Sequence, residues 1–539
     1  MLRITELKLP LDHPEEALRP AIVQRLGIQD AELLDFSLFK RSYDARKRFG
    51  EMPFIYSIDC TLADEASVLA KFEDDRQIGP APDTSYKPVG QAAEHLTERP
   101  LVVGFGPCGI FAALILAQAG LKPIVLERGT EVRQRTKDTW GLWRKKVLNP
   151  ESNVQFGEGG AGTFSDGKLY SQIKDPKHLG RKVLEEFVKA GAPEEILYVS
   201  KPHIGTFRLT GVVATMREEI KALGGEVRFQ QRVSDVLIED GQLQGVVLDS
   251  GEQIRSRHVI LALGHSSRDT FRMLHSRAVF MEAKPFSVGF RIEHPQSLID
   301  RARLGKYAGH PQLGAADYKL VHHASNGRSV YSFCMCPGGT VVAATSEPER
   351  VVTNGMSQYS RNERNANAGI VVGITPEQDY PGGPLAGVEL QERLESQAYL
   401  LGGSNYEAPG QLVGDFIAGK PSTALGSVEP SYKPGVKLGD LALALPDFAI
   451  EAIREALPAF GKQIKGFDLH DAVLTGIETR TSSPLRITRG ADMQSLNVKG
   501  LYPAGEGAGY AGGILSAGVD GIRVAEALIR DILGISDPA

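Results

Sequence analysis

The sequence predicts an α/β protein in three parts: a three-layer unit assembled from discontinuous segments, an inserted α+β domain, and a small N-terminal α+β domain. Three observations carry that prediction. A strand–glycine turn–helix–strand series starts near residue 100, and a second glycine-rich strand–turn–helix ends the chain. Residues 272–465, lying between the two, have many loops and less regular periodicity. A polar, Pro-rich stretch at 78–90 sets off an earlier α+β pattern from both. The length, 539 residues, already exceeds one ordinary domain.

Taken in order, residues 3–9 alternate like a strand, and 15–26 space Ala17, Leu18, Ile22, Val23 and Leu26 as one helical face. Strands follow at 33–39 and 54–62, so residues 1–90 read as a ferredoxin-like α+β domain ending in the 78–90 linker. Lys40–Arg48 carries five basic residues in nine. That run reads as a solvated face, with an RNA contact or docking of a redox partner as the functional alternatives. Residues 101–121 lack charge over a membrane-spanning length, yet Gly104, Gly106, Pro107, Gly109 and Gly120 break them into a buried strand and an Ala-rich helix. From Gly225 a β-meander runs to Gly264, punctuated by Asp240-Gly241 and Ser250-Gly251.

Composition excludes several classes. With 42% apolar and 24% charged residues the chain is globular, not disordered or fibrous. A net charge of −5 argues against a protein that coats nucleic acid or anionic lipid. Four cysteines make no disulfide framework and indicate a reducing compartment. The charged N-terminus shows no export signal, so a cytoplasmic location is expected. Glycine is the anomaly: 59 of 539 residues, about 11% against an average of roughly 7%.

The strongest signal is Leu101-Val-Val-Gly104-Phe-Gly106-Pro107-Cys-Gly109, then a helix, then Ile124-Val-Leu-Glu127-Arg128. A glycine triplet alone is weak, but here it joins a strand to a helix and an acidic residue follows about twenty positions on. That is the full Rossmann-like dinucleotide-binding context. Gly104 permits the turn, Gly106 lets backbone reach a pyrophosphate, and Gly109 lets helix pack on strand. The helix N-terminus offers free N–H groups to phosphate, and Glu127 can accept from a ribose. No second GxGxxG occurs, so a stably held second nucleotide is not indicated. The C-terminal segment puts Glu506 beside a helix starting at Gly513–Ile514. An acceptor for a ribityl hydroxyl next to a helix dipole suits a long flavin cofactor, which makes the dinucleotide FAD.

At this point the chain resembles the FAD-dependent oxidoreductases of the glutathione-reductase-like superfamily, and within it a bacterial family of FAD-dependent dehydrogenases. The resemblance covers nearly the whole length. It rests on KRSYDARKR (40–48), FGEGGAGTFSDGKL (156–169), KPHIGT (201–206), LALGHSSRDT (261–270), RIEHPQ (291–296), FCMCPGG (333–339), TNGMS (353–357), ETRTSSPLRI (478–487) and GEGAGYAGGI (505–514). It implies adenosine and pyrophosphate roles for Gly104, Gly106, Gly109 and Glu127. It further implies that backbone at Val233 meets adenine, that Gly264 ends the strand passing the cofactor, and that Gly505, Glu506, Gly513 and Ile514 form the C-terminal flavin motif. Two positions depart from it: Glu506 stands where Asp is usual, and Phe207 stands where Asp follows His-Ile-Gly-Thr.

The loop 156–169 has glycines at 157, 159, 160, 162 and 167. Backbone there can lie against a planar ring or a pyrophosphate, so Gly159, Gly160 and Gly162 join Pro107 and Arg128 as cofactor candidates. Ser165, Asp166 and Lys168 are the polar groups that can face the flavin; a solvated surface turn is the alternative. Lys168 is one candidate catalytic residue. Arg480 is the other, as a carboxylate clamp or as half of a structural Glu–Arg pair in a segment that also holds Glu478, Arg486 and Arg489. Cys334 and Cys336 read as buried, inert thiols, Cys108 as packing, and His203 and His265 as satisfied core or loop histidines. No metal site is indicated. The expected function is FAD-dependent oxidoreduction of a small molecule by hydride transfer at flavin N5, with NAD(P)H as a transient donor. The alternatives are a flavoprotein acting on RNA and a non-catalytic flavin binder. The expected domains are 1–90, an FAD-binding unit at 96–271 and 466–539, and a substrate domain at 272–465. Nucleic-acid and membrane partners are not expected.

Overall fold

The computed structural model describes residues 1–44, 50–92 and 98–536. Arg46, Lys47 and Arg48, and the expected boundary at 96, lie outside them. The first 80 residues form a four-stranded antiparallel sheet, in the order Leu33–Tyr43, Phe54–Leu62, Leu2–Leu9, Ile78–Pro80. The helices Leu18–Leu26 and Glu65–Lys71 complete a β-α-β-β-α-β order. Leu18, Ile22 and Leu26 are buried at intervals of four, as the helical spacing requires. Two expectations change here. The stretch beginning at Ile78 is not all linker, because Ile78–Pro80 pairs with Leu2–Ile4. The helix Glu65–Lys71, capped by Asp64 accepting from the Ser67 N–H, is too short to register as a periodic pattern.

The second unit is a five-stranded parallel sheet in the order Leu501–Pro503, Val259–Leu261, Leu101–Val103, Ile124–Leu126, Glu226–Arg228. Its strands alternate in the sense that strand geometry dictates. Val102, Val125, Ile260 and Tyr502 face a helical layer made by Pro107–Gln118, Leu179–Lys189, Thr206–Ala222 and Ile514–Leu533. Leu101, Val103, Ile124, Leu126, Val259 and Leu261 face the meander Val233–Glu239, Gln242–Leu248, Gln253–Arg255. Meander, parallel sheet and helices are the three layers, and they are drawn from residues 101–261 and 501–533.

The uncharged 101–121 segment finds its apolar partners inside this unit. Helix Pro107–Gln118 is almost wholly buried and lies along Ile514–Leu533. Small residues make the close approach. A Cβ on Gly521 would lie 2.2 Å from the Cys108 carbonyl oxygen, a backbone atom that cannot swing aside. Gly521→Ala is therefore expected to cost about 1–3 kcal/mol, measured by urea unfolding, by forcing the two helices apart. Among the described residues, no helix is long and apolar enough to cross a membrane.

The third sheet has eight strands, ordered Val321–His323, Ser329–Ala343, Asn365–Ile374, Phe286–Pro295, Val473–Glu478, Ala408–Leu412, Val436–Leu438, with Thr353–Ser357 beside Ser329–Ala343. Sequence assigned 473–478 to the returning FAD segment that starts at 466. Its hydrogen bonds go instead to Phe286–Pro295 and Ala408–Leu412. The pairing spans roughly 180 residues of chain, a separation that local periodicity does not report.

Candidate functional site

In the parallel sheet the chain begins at the centre, Leu101–Val103, moves outward one way to Glu226–Arg228, then returns to the other side as Val259–Leu261 and Leu501–Pro503. The order reverses between Leu101–Val103 and Val259–Leu261, and ligands of such sheets bind beyond the strand ends at that switch point. A cavity of about 430 Å³ opens there, within the size range of small-molecule sites. Its walls include Gly104, Gly106, Pro107, Glu127, Arg128, Gly160, Gly162, Val233, Gly264, Glu506, Gly513 and Ile514. Three sequence candidates stand behind the wall rather than on it. A Cβ on Gly109 would lie 1.9 Å from the Gly104 carbonyl oxygen, so Gly109 sets the strand–helix contact. Gly159 donates its N–H to the Phe105 carbonyl at 2.8 Å, and Gly505 donates to Asp520 at 2.8 Å.

The two glycine loops face each other. Gly160 has a φ of +62°, and a Cβ there would lie 2.8 Å from the Gly106 Cα. The two loops therefore touch backbone to backbone, and the cavity lies beside that contact, where backbone without side chains lets a pyrophosphate come close. Glu127 ties the loops together: Oε2 accepts from the Phe105 N–H at 2.8 Å, and Oε1 from Gly129 and Gly157 at 2.8 and 2.9 Å. A carboxylate has about four acceptor positions, so one remains for a ribose hydroxyl. Arg128 holds Glu151 and Asp269 while lying over the Phe156 ring, 3.9 Å from its centroid.

At the other end, Glu506 lines the cavity and accepts from the Ser483 N–H at 3.0 Å. Burial pushes its carboxyl up to about 7, against the Ser483 hydrogen bond and the Lys284 charge. Gly513 caps the twenty-residue helix Ile514–Leu533, whose free N-terminal N–H groups face the same space. A carboxyl raised in the fold adds stability below its ordinary pKa of about 4.3 and loses it as pH rises through the folded value. Relative to the parent protein, cofactor-free Glu506→Gln is therefore expected to gain melting temperature steadily from pH 5 to pH 8. A constant difference across that range would contradict the assignment.

Lys168 and Arg480 also reach the cavity wall. Lys168 donates through Nζ to the Met335 carbonyl. Burial alone would lower its pKa, but the nearby Cys334, Cys336 and Asp166 raise it overall. Asp166 is held by both ends of the Arg361 guanidinium at 2.9 and 2.5 Å, and Ser165 donates to the Gly162 carbonyl at 2.7 Å. All five Arg480 donors are engaged, by Glu395 twice, Glu347, Ser266 and Ser346. The arrangement matches the structural-pair reading of Arg480 and leaves no donor for a substrate carboxylate. Elsewhere in that segment Arg489 forks onto Asp520, Glu478 meets Arg291 at 3.2 Å, and Arg486 lies 5.3 Å from the Tyr510 ring centroid. His265 lines the cavity with its pKa pushed down to about 3 by burial and the Arg480 and Arg268 charges, so it is neutral. His203 stacks on Tyr359 and bonds its carbonyl at 2.9 Å.

One sequence expectation needs correction. Cys334 is not an enclosed strand thiol: it is partly exposed, lines the cavity, and only Cys336 is buried behind it. A β-bulge turns it outward, since Phe333 pairs with Gly369 and Cys336 with Asn367, one residue out of step. Its φ of +43° is a left-handed value rare for a side-chain-bearing residue. Sequence reasoning also passed over Tyr170, Phe333, Asn354 and Thr481 on the wall, and Asp520 beneath it. Phe333, Asn354 and Thr481 lie inside the strings at 333–339, 353–357 and 478–487, while Tyr170 and Asp520 lie outside every such string.

The residues fit FAD: side-chain-free backbone on the cavity wall at Gly104, Gly106, Gly160 and Gly162, the acceptors Glu127 and Glu506, and helix N-termini at Pro107 and Ile514. Comparisons agree. Residues 285–481 match the family described as FAD-dependent protein, C-terminal domain-like, and residues 1–61 match a domain of unknown function, DUF8436. An uncharacterized protein of Clostridium beijerinckii is 49% identical over 530 residues, covering 98% of each chain. A dual trans-enoyl reductase/FAD-dependent monooxygenase of Aspergillus terreus is 26% identical over 30% of this chain and 21% of its own. The crystal structure of L-proline dehydrogenase from P. horikoshii aligns over 80% of this chain and 94% of that one, at 14% identity and a TM-score of 0.33. The end-to-end match places the chain in one family with the clostridial protein, and residues 285–481 carry the C-terminal domain of FAD-dependent proteins.

Proposed function

We propose that the protein is a dehydrogenase or reductase of a small molecule, using FAD held in the switch-point cavity and NAD(P)H as a transient donor. One observation carries the reading: a single cavity is walled at once by both glycine motifs and by the polar groups Ser165, Lys168 and His265. When bound, FAD supplies hydride transfer at flavin N5. The protein's own groups do the rest. Side-chain-free backbone at Gly106 and Gly160 on the cavity wall would hold the pyrophosphate, Glu127 keeps one acceptor for the adenosine ribose, and Glu506 would accept a ribityl hydroxyl beside the Gly513–Ile514 helix end. His265, neutral at physiological pH, adds no charge to the cavity wall. The Lys168 charge lies on the cavity wall, where it favours an anionic substrate. The readings as an RNA-acting flavoprotein or a non-catalytic flavin binder draw on no observation in the described residues.

The test is an anaerobic titration of the yellow protein with NADH and with NADPH. Bleaching by one of them, reversed by a substrate from a small-molecule screen, is the expected result. A flavin that neither nicotinamide reduces would remove the proposed donor.

A further inference from the structure

We propose that Cys334 and Cys336 form a thiol–disulfide exchange site in the cavity wall, taking low-molecular-weight disulfides. The site goes beyond the flavin reading, because every group it needs belongs to the chain itself. Cys334 reaches the cavity through its bulge and its left-handed backbone, a strained arrangement of the kind found at working sites. Arg291, fully buried, donates to the Cys334 carbonyl at 2.9 Å and fixes the bulge from behind. The Cys336 thiol is buried next to it, donating to the Cys334 carbonyl at 3.4 Å.

The charges around the pair favour a thiolate. Lys168 and Arg291 face it as cations; Asp166 and Glu478 face it as acids but are held by Arg361 and Arg291 respectively. Tyr170, the remaining titratable neighbour of Lys168, has a raised pKa and stays neutral, chiefly from burial. The neighbouring Cys336 thiol, ahead of the Lys168 and Arg291 charges, holds Cys334 below the ordinary thiol range despite burial, while Cys336 is pushed up. One sulfur is thus a nucleophile at neutral pH and the other a protonated resolving thiol.

The exchange balances without any further reactant. The Cys334 thiolate attacks one sulfur of R–S–S–R, the external S–S bond breaks, and one R–S⁻ leaves a mixed disulfide on Cys334. Cys336 then gives its proton to the released R–S⁻ and attacks the Cys334 sulfur. The mixed S–S bond breaks, a second R–S⁻ departs, and a Cys334–Cys336 bond forms. The protein loses two electrons and the external disulfide gains them. Lys168 is a positioning residue in this scheme, holding the negative charge on Cys334.

The experiment uses the full-length protein as purified, with iodoacetamide and glutathione disulfide as probes. An ordinary thiol, with pKa near 8.5, slows its alkylation roughly 100-fold or more between pH 9 and pH 6. Cys334, located by peptide mass spectrometry, is expected to slow less than about threefold over that range. Lys168→Met should slow its alkylation at pH 6 about tenfold, with Lys168→Arg restoring most of the rate. Glutathione disulfide should close Cys334–Cys336 in the parent protein and leave a glutathione adduct on Cys334 in Cys336→Ser, with unchanged circular dichroism. An ordinary pH profile, or a Cys336→Ser protein that stays folded yet takes no adduct at Cys334, overturns the proposal.

Discussion

Replacing Glu395 with alanine is expected to destabilise the protein by about 3–5 kcal/mol, the largest loss of any single side chain near the cavity. Glu395 is fully buried and accepts from two arginines at once. Arg268 reaches its oxygens at 2.7 and 2.9 Å, Arg480 at 2.8 and 3.0 Å, and Thr479 adds a hydroxyl at 2.7 Å. Burial would raise its pKa, but the Arg268 and Arg480 charges hold it far below the carboxylate range. Removing it leaves two buried guanidinium groups sharing only the half-open Glu347. A depressed carboxyl contributes stability above its ordinary pKa of about 4.3 and loses it as pH falls toward the folded value. The gap between parent and Glu395→Ala should therefore be full at pH 7 and shrink only in acid. Denaturant unfolding at pH 7 and pH 3.5 reads both. A loss under about 1 kcal/mol at pH 7 would mean that the pair of arginines is already solvated.

Gly106→Val is expected to leave the fold intact and abolish FAD binding, lowering affinity at least about 100-fold, or about 2.8 kcal/mol. Gly106 has an ordinary backbone, and a Cβ there meets the Gly160 Cα at 3.5 Å, a normal contact. What the branched side chain adds is bulk on the cavity wall, beside the contact between the two loops. Gly109→Val makes the contrast, because its Cβ would overlap the Gly104 carbonyl and should lower the melting temperature outright. A cofactor-free Gly106→Val protein with parental melting temperature, beside a destabilised Gly109→Val, separates a ligand-facing glycine from a packing one. Equal FAD affinity in Gly106→Val would move the pyrophosphate elsewhere.

What the sequence revealed followed from local rules. Gly104, Gly106 and Glu127 announce themselves because strand, turn and acidic partner lie within about 25 residues, and one sheet aligns their ends. Glu506 and Gly513 were legible for the same reason. The missed features depend on pairings across long stretches of chain. Arg480 could be read as a clamp until Glu395, 85 residues away, occupied it from the adjacent helix. Cys334 follows the alternating pattern of a buried strand, and only the register against Asn365–Ile374 reveals the bulge that turns it outward. Asp520 sits in a helix whose apolar stripe conceals it, and its value lies in gripping Arg489 and Gly505.

The most direct test of the account is the FAD content of the full-length protein. Release of the cofactor, its identification by chromatography and its quantitation against protein should give about one FAD per chain, in the preparation or after adding FAD to it. A folded protein that carries none, and that takes up none when FAD is supplied, would contradict the assignment of the switch-point cavity.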